Sequence, residues 1–213
     1  MWLAQNQVLA YTILACTSII AGLLVFNLSI MQIALVTLAA FITLVYSIPF
    51  IGTFSLRGLG FLKTFFVAIV WILITTMLSF DVNIDSMSNK MILLILTNFV
   101  FILPLCIAFE IKDMDDDAAA GILTIPMYLG IGKTKKLAIA IPICYIAVSL
   151  IIFAYNGAEA HTEAAQAIAS ILPSIASIVV LQRLNKGSSF YYYYVLIDGL
   201  MLLQFLCTFI AYS

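Results

Sequence analysis

Charged side chains are scarce in this chain: Asp, Glu, Lys and Arg together make up 9% of its 213 residues. Soluble domains carry about 25%. Apolar residues take the space at 65%, against roughly 45–50% in soluble domains. A water-soluble fold of this length cannot hide that much apolar surface, so the bilayer must be its solvent. A basic excess is also lacking. The net charge of −1 offers no basic face to nucleic acid. The one histidine, His161, lies between Glu159 and Glu163 and is assigned no role. The four cysteines (Cys16, Cys106, Cys144, Cys207) lie far apart, each inside an apolar run. No CxxC or Cys/His spacing is present, so neither a zinc site nor a disulfide framework is indicated. Inert, buried packing is expected of all four. The opening residues, MWLAQNQ, lack the basic region of a cleavable signal peptide, and the apolar run after them is long enough to stay in the membrane.

Apolar runs of about 17–25 residues read as membrane helices. Seven are expected, over about 8–26, 29–47, 61–80, 91–109, 136–155, 163–182 and 190–211. Together they predict an all-α polytopic membrane protein with a single transmembrane domain over 1–213. The interruptions have chemical causes: Asn27, then Pro49 and Gly52, then Asp81, Asn83 and Asp85, then Gly157 with Glu159. Pro104, Pro142 and Pro173 fall inside runs and are expected to kink helices without ending them, because neighbouring helices can satisfy the freed carbonyls.

The basic residues set an orientation. If the spans alternate, the N-terminus and the loops 48–60, 110–135 and 183–189 share one face. That face collects Arg57, Lys63, Lys112, Lys133, Lys135, Lys136, Arg183 and Lys186, leaving Lys90 alone on the other. The bias makes the first face cytoplasmic and puts the C-terminus outside. A bacterial cytoplasmic membrane is the expected setting. Tyr191 to Tyr194 open the last span on the cytoplasmic side and read as an interfacial aromatic belt. Asp198 lies within that span, where a carboxylate is costly and faces the protein interior; it serves either as a structural hydrogen-bonding group or as a cavity lining.

The densest chemistry lies in one loop. Glu110, Asp113, Asp115, Asp116 and Asp117 place five carboxylates within eight residues. On a helix Asp113 and Asp117 are one turn and about 40° apart, so they share a face. Asp116 flanks Asp113 and can join them, while Asp115 points away. Their mutual repulsion is relieved by a divalent cation, and clustered hard oxygens suit Mg²⁺ bridged to phosphate. On charge alone, a solvated acidic loop explains the residues equally well.

The residues that follow shift that balance. Lys112-Asp113-Met114-Asp115-Asp116-Asp117, a short Ala/Gly stretch, then Thr124-Ile125-Pro126-Met127-Tyr128-Leu129-Gly130 resembles the second aspartate-rich motif of the UbiA-type prenyltransferase superfamily, with spacing kept over about twenty residues. Tyr46-Ser47-Ile48-Pro49, with Arg57 and Lys63 downstream, resembles a second family element. The resemblance implies a Mg²⁺-dependent transfer of an isoprenyl chain from a prenyl diphosphate to an aromatic, porphyrin or lipid acceptor. It implies Asp113 and Asp117 as metal ligands, with Asp116 as a further candidate, and Lys112 beside them in the catalytic group. Tyr46, Arg57 and Lys63 would contact the diphosphate; setting topology is the alternative role for Arg57 and Lys63.

The family has nine helices and a first aspartate-rich motif, N-D-x-x-D-x-x-x-D, which this chain lacks. The chain aligns with helices three to nine. Two readings of that deficit compete: a start that lies upstream, which is the favoured expectation, or a shortened homologue that binds prenyl lipid without turnover. A seven-helix photoreceptor needs a lysine in the last span, and 190–211 has none. A transporter needs more polar groups at mid-membrane than Asp198 alone.

Overall fold

A computed structural model describes residues 7–47, 60–78, 89–156 and 161–212. Among these residues, seven main helices overlap the seven apolar runs of the sequence. They are α1 (Gln7–Val25), α2 (Ile30–Ser47), α3 (Gly60–Ile72), α4 (Asn89–Lys112), α7 (Ile131–Asn156), α8 (His161–Arg183) and α9 (Asp198–Tyr212). Two short helices, α5 (Met114–Ala119) and α6 (Ile125–Leu129), lie between α4 and α7. No strand occurs among the described residues. Among the described residues, four segments are long and apolar enough to cross a membrane: Gln7–Val25, Met91–Lys112, Ile131–Ile151 and Tyr192–Ile210. Ile30–Val45, Leu62–Met77 and Ile168–Arg183 are shorter apolar helices. The fold is an all-α polytopic membrane fold.

The second half of α4 sits inside the bundle. Its Phe101, Ile102, Leu105, Cys106, Ile107, Ala108 and Ile111 are buried, and Leu181, Leu184, Tyr193 and Ile197 belong to the same core. Helices α3 and α7 pack on α4, and α8 packs on both α7 and α9. The outer surface remains apolar: Phe41, Leu93, Ile151, Leu172 and Phe205 are all exposed, on five helices. Water would penalise that surface, whereas lipid tails accept it. Pro104, Pro142 and Pro173 lie inside helices that continue past them.

The structure differs from expectation at several points, each with a physical cause. Cys106 is buried, but Cys16 and Cys144 are exposed and Cys207 is half-buried. In a membrane the outer face is as apolar as the core, so an apolar run does not separate inside from outside. Helix α4 runs on through Glu110 and Lys112, and α7 begins at Ile131. The charged connection is therefore mostly helical, with Lys133, Lys135 and Lys136 on the first turns of α7. Of these, Lys135 donates to the Leu184 carbonyl (2.7 Å), just beyond the end of α8, where a cation complements the helix dipole. The four tyrosines do not form a uniform belt. Tyr193 is in the core and Tyr192 is half-buried, while Tyr191 and Tyr194 are exposed, because successive residues of a helix fan round its axis.

Two π-helical turns interrupt the ladders, Leu73–Met77 at the end of α3 and Tyr192–Ile197 leading into α9. Thr76, in the first, accepts a hydrogen bond from Asn98 Nδ2 of α4 (3.1 Å). Asn98 Oδ1 in turn accepts from Gln204 Nε2 of α9 (3.3 Å). This amide chain crosses three helices inside an otherwise apolar bundle, where polar groups have to find partners within the protein. Asp198, half-buried, stands where the second π-helical turn becomes α9.

Candidate functional site

The acidic segment folds as α5, and its sequence suits that place. Asp115, Asp116 and Asp117 occupy the first turn, where negative charge complements the helix dipole. The Asp117 N–H donates to the Asp113 carbonyl (2.8 Å). After α5 the chain crosses through Ile122 to Thr124 and enters α6. Gly130 closes α6 with φ 77°, its N–H donating to the Pro126 carbonyl. That left-handed conformation favours glycine, which accounts for the residue that ends the motif.

The first turn of α3 is stitched to this segment by three residues on one helix face. Positions 60, 63 and 64 are spaced i, i+3 and i+4, and so line up along the axis. Gly60 presses directly on the backbone: a Cβ there would lie 1.6 Å from the Leu123 carbonyl oxygen. Lys63 forms an ion pair with Asp117. Asp117 is fully buried and Lys63 nearly so. The Thr64 hydroxyl donates to Glu110 Oε1, and Glu110 Oε2 accepts the Ile125 backbone N–H (3.3 Å).

The other aspartates have separate partners. Lys112 Nζ lies 3.0 Å from Asp113 Oδ1 and 3.0 Å from the Tyr194 hydroxyl, with the ammonium 5.0 Å from the centre of the Tyr194 ring. That ring packs on Phe190, with centroids 4.2 Å apart. Lys186 pairs with Asp115 at 2.7 Å in an exposed bridge, and Asp116 is exposed. Thus Lys63 is brought to Asp117 and Lys112 to Asp113, on different flanks of the loop. Arg57 and the Tyr46 side chain lie outside the described residues, as does the His161 side chain.

Whether these residues suit Mg²⁺ is decided by the donors. Among the described residues no three Asp, Glu, His or Cys side chains gather into a metal cage. Asp117 is already compensated by Lys63. Asp113 and Asp116 are accessible, and Mg²⁺ commonly takes only one or two carboxylates, completing its shell with water and phosphate. The loop therefore fits a cation that arrives with a phosphate ligand, not one held by protein alone.

Sequence reasoning missed Glu110 as a structural link, along with Thr64, Gly60 and Tyr194. A signal was available for two of them: Gly60 and Thr64 flank Lys63 in a short polar stripe at the head of an apolar helix.

An apolar helical bundle carrying aspartates and lysines together at one end defines a polytopic membrane protein with an ionic site at the rim of its apolar interior. The chain belongs to the UbiA prenyltransferase family, whose family model matches residues 3–212. No curated protein and no solved structure matches it. Membership makes it a membrane protein of prenyltransferase type.

Proposed function

We propose that this protein transfers an isoprenyl group from a prenyl diphosphate to an acceptor inside the membrane, and that Mg²⁺ assists. The observation that carries the reading is the pair of ion pairs, Lys63 with Asp117 and Lys112 with Asp113, at one end of an apolar bundle. A prenyl diphosphate has the same division, an anionic head on an apolar tail. In the reaction the allylic C–O bond breaks and its electron pair leaves with the diphosphate. A nucleophilic atom of the acceptor then bonds to the freed carbon and gives up a proton. Lys63 and Lys112, with Arg57, would neutralise the charge growing on the leaving group, and Tyr46 would contact it. Mg²⁺, when bound, would supply further positive charge at the diphosphate. Asp113 would hold it with Asp116 beside, and Asp117 would join once Lys63 turned to a phosphate oxygen.

The contrast between positions is the test. Asp113→Asn should lower transfer from a labelled prenyl diphosphate by roughly 100-fold or more at saturating Mg²⁺. Asp115→Asn removes only an exposed ion pair with Lys186, a kind worth little, and should stay within about threefold of wild type. Equal losses at the two positions would reduce the loop to a general charge effect. Binding of labelled prenyl diphosphate without release of diphosphate would favour a lipid-binding member of the family over an enzyme.

The orientation belongs to the same proposal. With eight basic residues on one face and Lys90 on the other, the acidic loop faces the cytoplasm and the C-terminus the outside. A reporter active only outside the cytoplasm should be active when fused after Ser213 and silent near Gly130. The reverse pattern would overturn the orientation.

A further inference from the structure

We infer that Glu110 is a positioning residue that sets the geometry of the acidic loop, acting as a remote cap for α6 and a tie to α3. The residue is 2% exposed, in the last turn of α4. A carboxylate so placed is retained only with hydrogen-bond partners. Its two oxygens divide between elements distant in sequence. Oε1 takes the Thr64 hydroxyl, 46 residues upstream, and Oε2 takes the Ile125 N–H, 15 residues downstream.

The second of these bonds satisfies the first N–H of α6, which has no partner within its own helix. Thr124 stands at the N-cap of α6, where a threonine hydroxyl ordinarily accepts a helix N–H. Here it makes no capping bond, and its buried Oγ1 has no partner among the described residues. Pro126 has no N–H to offer. The Met127 and Tyr128 N–H groups donate to the Thr124 carbonyl (3.1 Å each), and the Ile125 N–H is left to Glu110. Residues 110 and 125 also bracket the stretch 113–117, so one carboxylate fixes both ends of the segment carrying Asp113 and Asp117. The ligand half of the test below rests on the proposed diphosphate site; the first half does not.

Hydrogen exchange on the whole protein in lipid nanodiscs reads the positioning directly. Glu110→Ala should speed exchange of amides in 113–125 about tenfold, as expected for loss of buried hydrogen bonds, while α7 and α8 keep their protection. Glu110→Gln should stay near wild type, because its oxygen can accept from Ile125 while its amide donates to Thr64. Affinity for inorganic diphosphate with Mg²⁺ should follow the same order, about tenfold weaker in Glu110→Ala and within about threefold in Glu110→Gln. Unchanged exchange in Glu110→Ala overturns the inference, as does a glutamine variant as impaired as the alanine one. Should Glu110→Ala fail to fold, Thr64→Val carries the test, with exchange in 113–125 raised several-fold expected and no change overturning it. If wild type binds no diphosphate yet the exchange pattern holds, the positioning role stands and the prenyl diphosphate reading falls.

Discussion

Lys63→Met is expected to destabilise the protein by about 3–5 kcal/mol, the usual cost of removing one partner from a buried ion pair. Asp117 is fully buried against Lys63, and the substitution removes the counter-charge from a buried carboxylate. Thermal unfolding in detergent measures the loss. The double variant Lys63→Met with Asp117→Leu separates stability from function. Two apolar side chains of similar bulk commonly restore what a buried ion pair provided, so the double variant should recover most of the lost stability. Its diphosphate binding should remain weak, because both charged groups are gone. A single Lys63→Met variant as stable as wild type would mean that the pair does not hold the loop to α3. Full diphosphate affinity in the double variant would remove both residues from the site.

Gly60→Ala should also be damaging, by a different route. The added methyl would sit 1.6 Å from the Leu123 carbonyl oxygen and 2.3 Å from its carbon, well inside van der Waals contact. Neither atom belongs to a flexible side chain, so α3 or the stretch before α6 has to move. Overpacking of this kind typically costs about 1–3 kcal/mol, and here the displaced backbone leads straight to Thr124 and Ile125. Diphosphate affinity should fall along with stability. Gly22→Ala is the matched control: a Cβ there meets nothing within 4 Å, and alanine in a helix interior is favoured by roughly 0.5–1 kcal/mol. Equal behaviour of the two alanine variants would refute the close contact at Gly60.

The bundle was legible in the sequence because composition forces it. Seven apolar runs separated by Asn, Pro, Gly and Asp leave few alternatives once water is excluded as solvent. The helix ends were less so. Glu110 was counted with the loop acids because a carboxylate is normally exposed, and only its partners from α3 and α6 explain why the helix carries it inside. The Lys63–Asp117 pair spans 54 residues, and no local spacing announces it. In the loop motif, the even row of carboxylates conceals a division of labour. One aspartate is sealed against a lysine, one shares a lysine with a tyrosine, and two face outward. Exposure of Cys16 and Cys144 was unreadable for the reason that made the spans easy to see, since lipid-facing and core-facing positions draw on the same residues.

The amide chain through Thr76, Asn98 and Gln204 acts as a register key. Apolar packing alone lets neighbouring helices slide or rotate at small cost, because one aliphatic contact replaces another. A hydrogen-bonded amide does not tolerate such a shift; moving one helix by a residue carries its side chain about 1.5 Å along the axis and about 100° round it, and the chain breaks. With its depth against α4 fixed at Gln204, the last helix delivers Tyr194 at the level of Lys112. The alignment of the ionic end is thus gauged from within the membrane, by residues that never touch it.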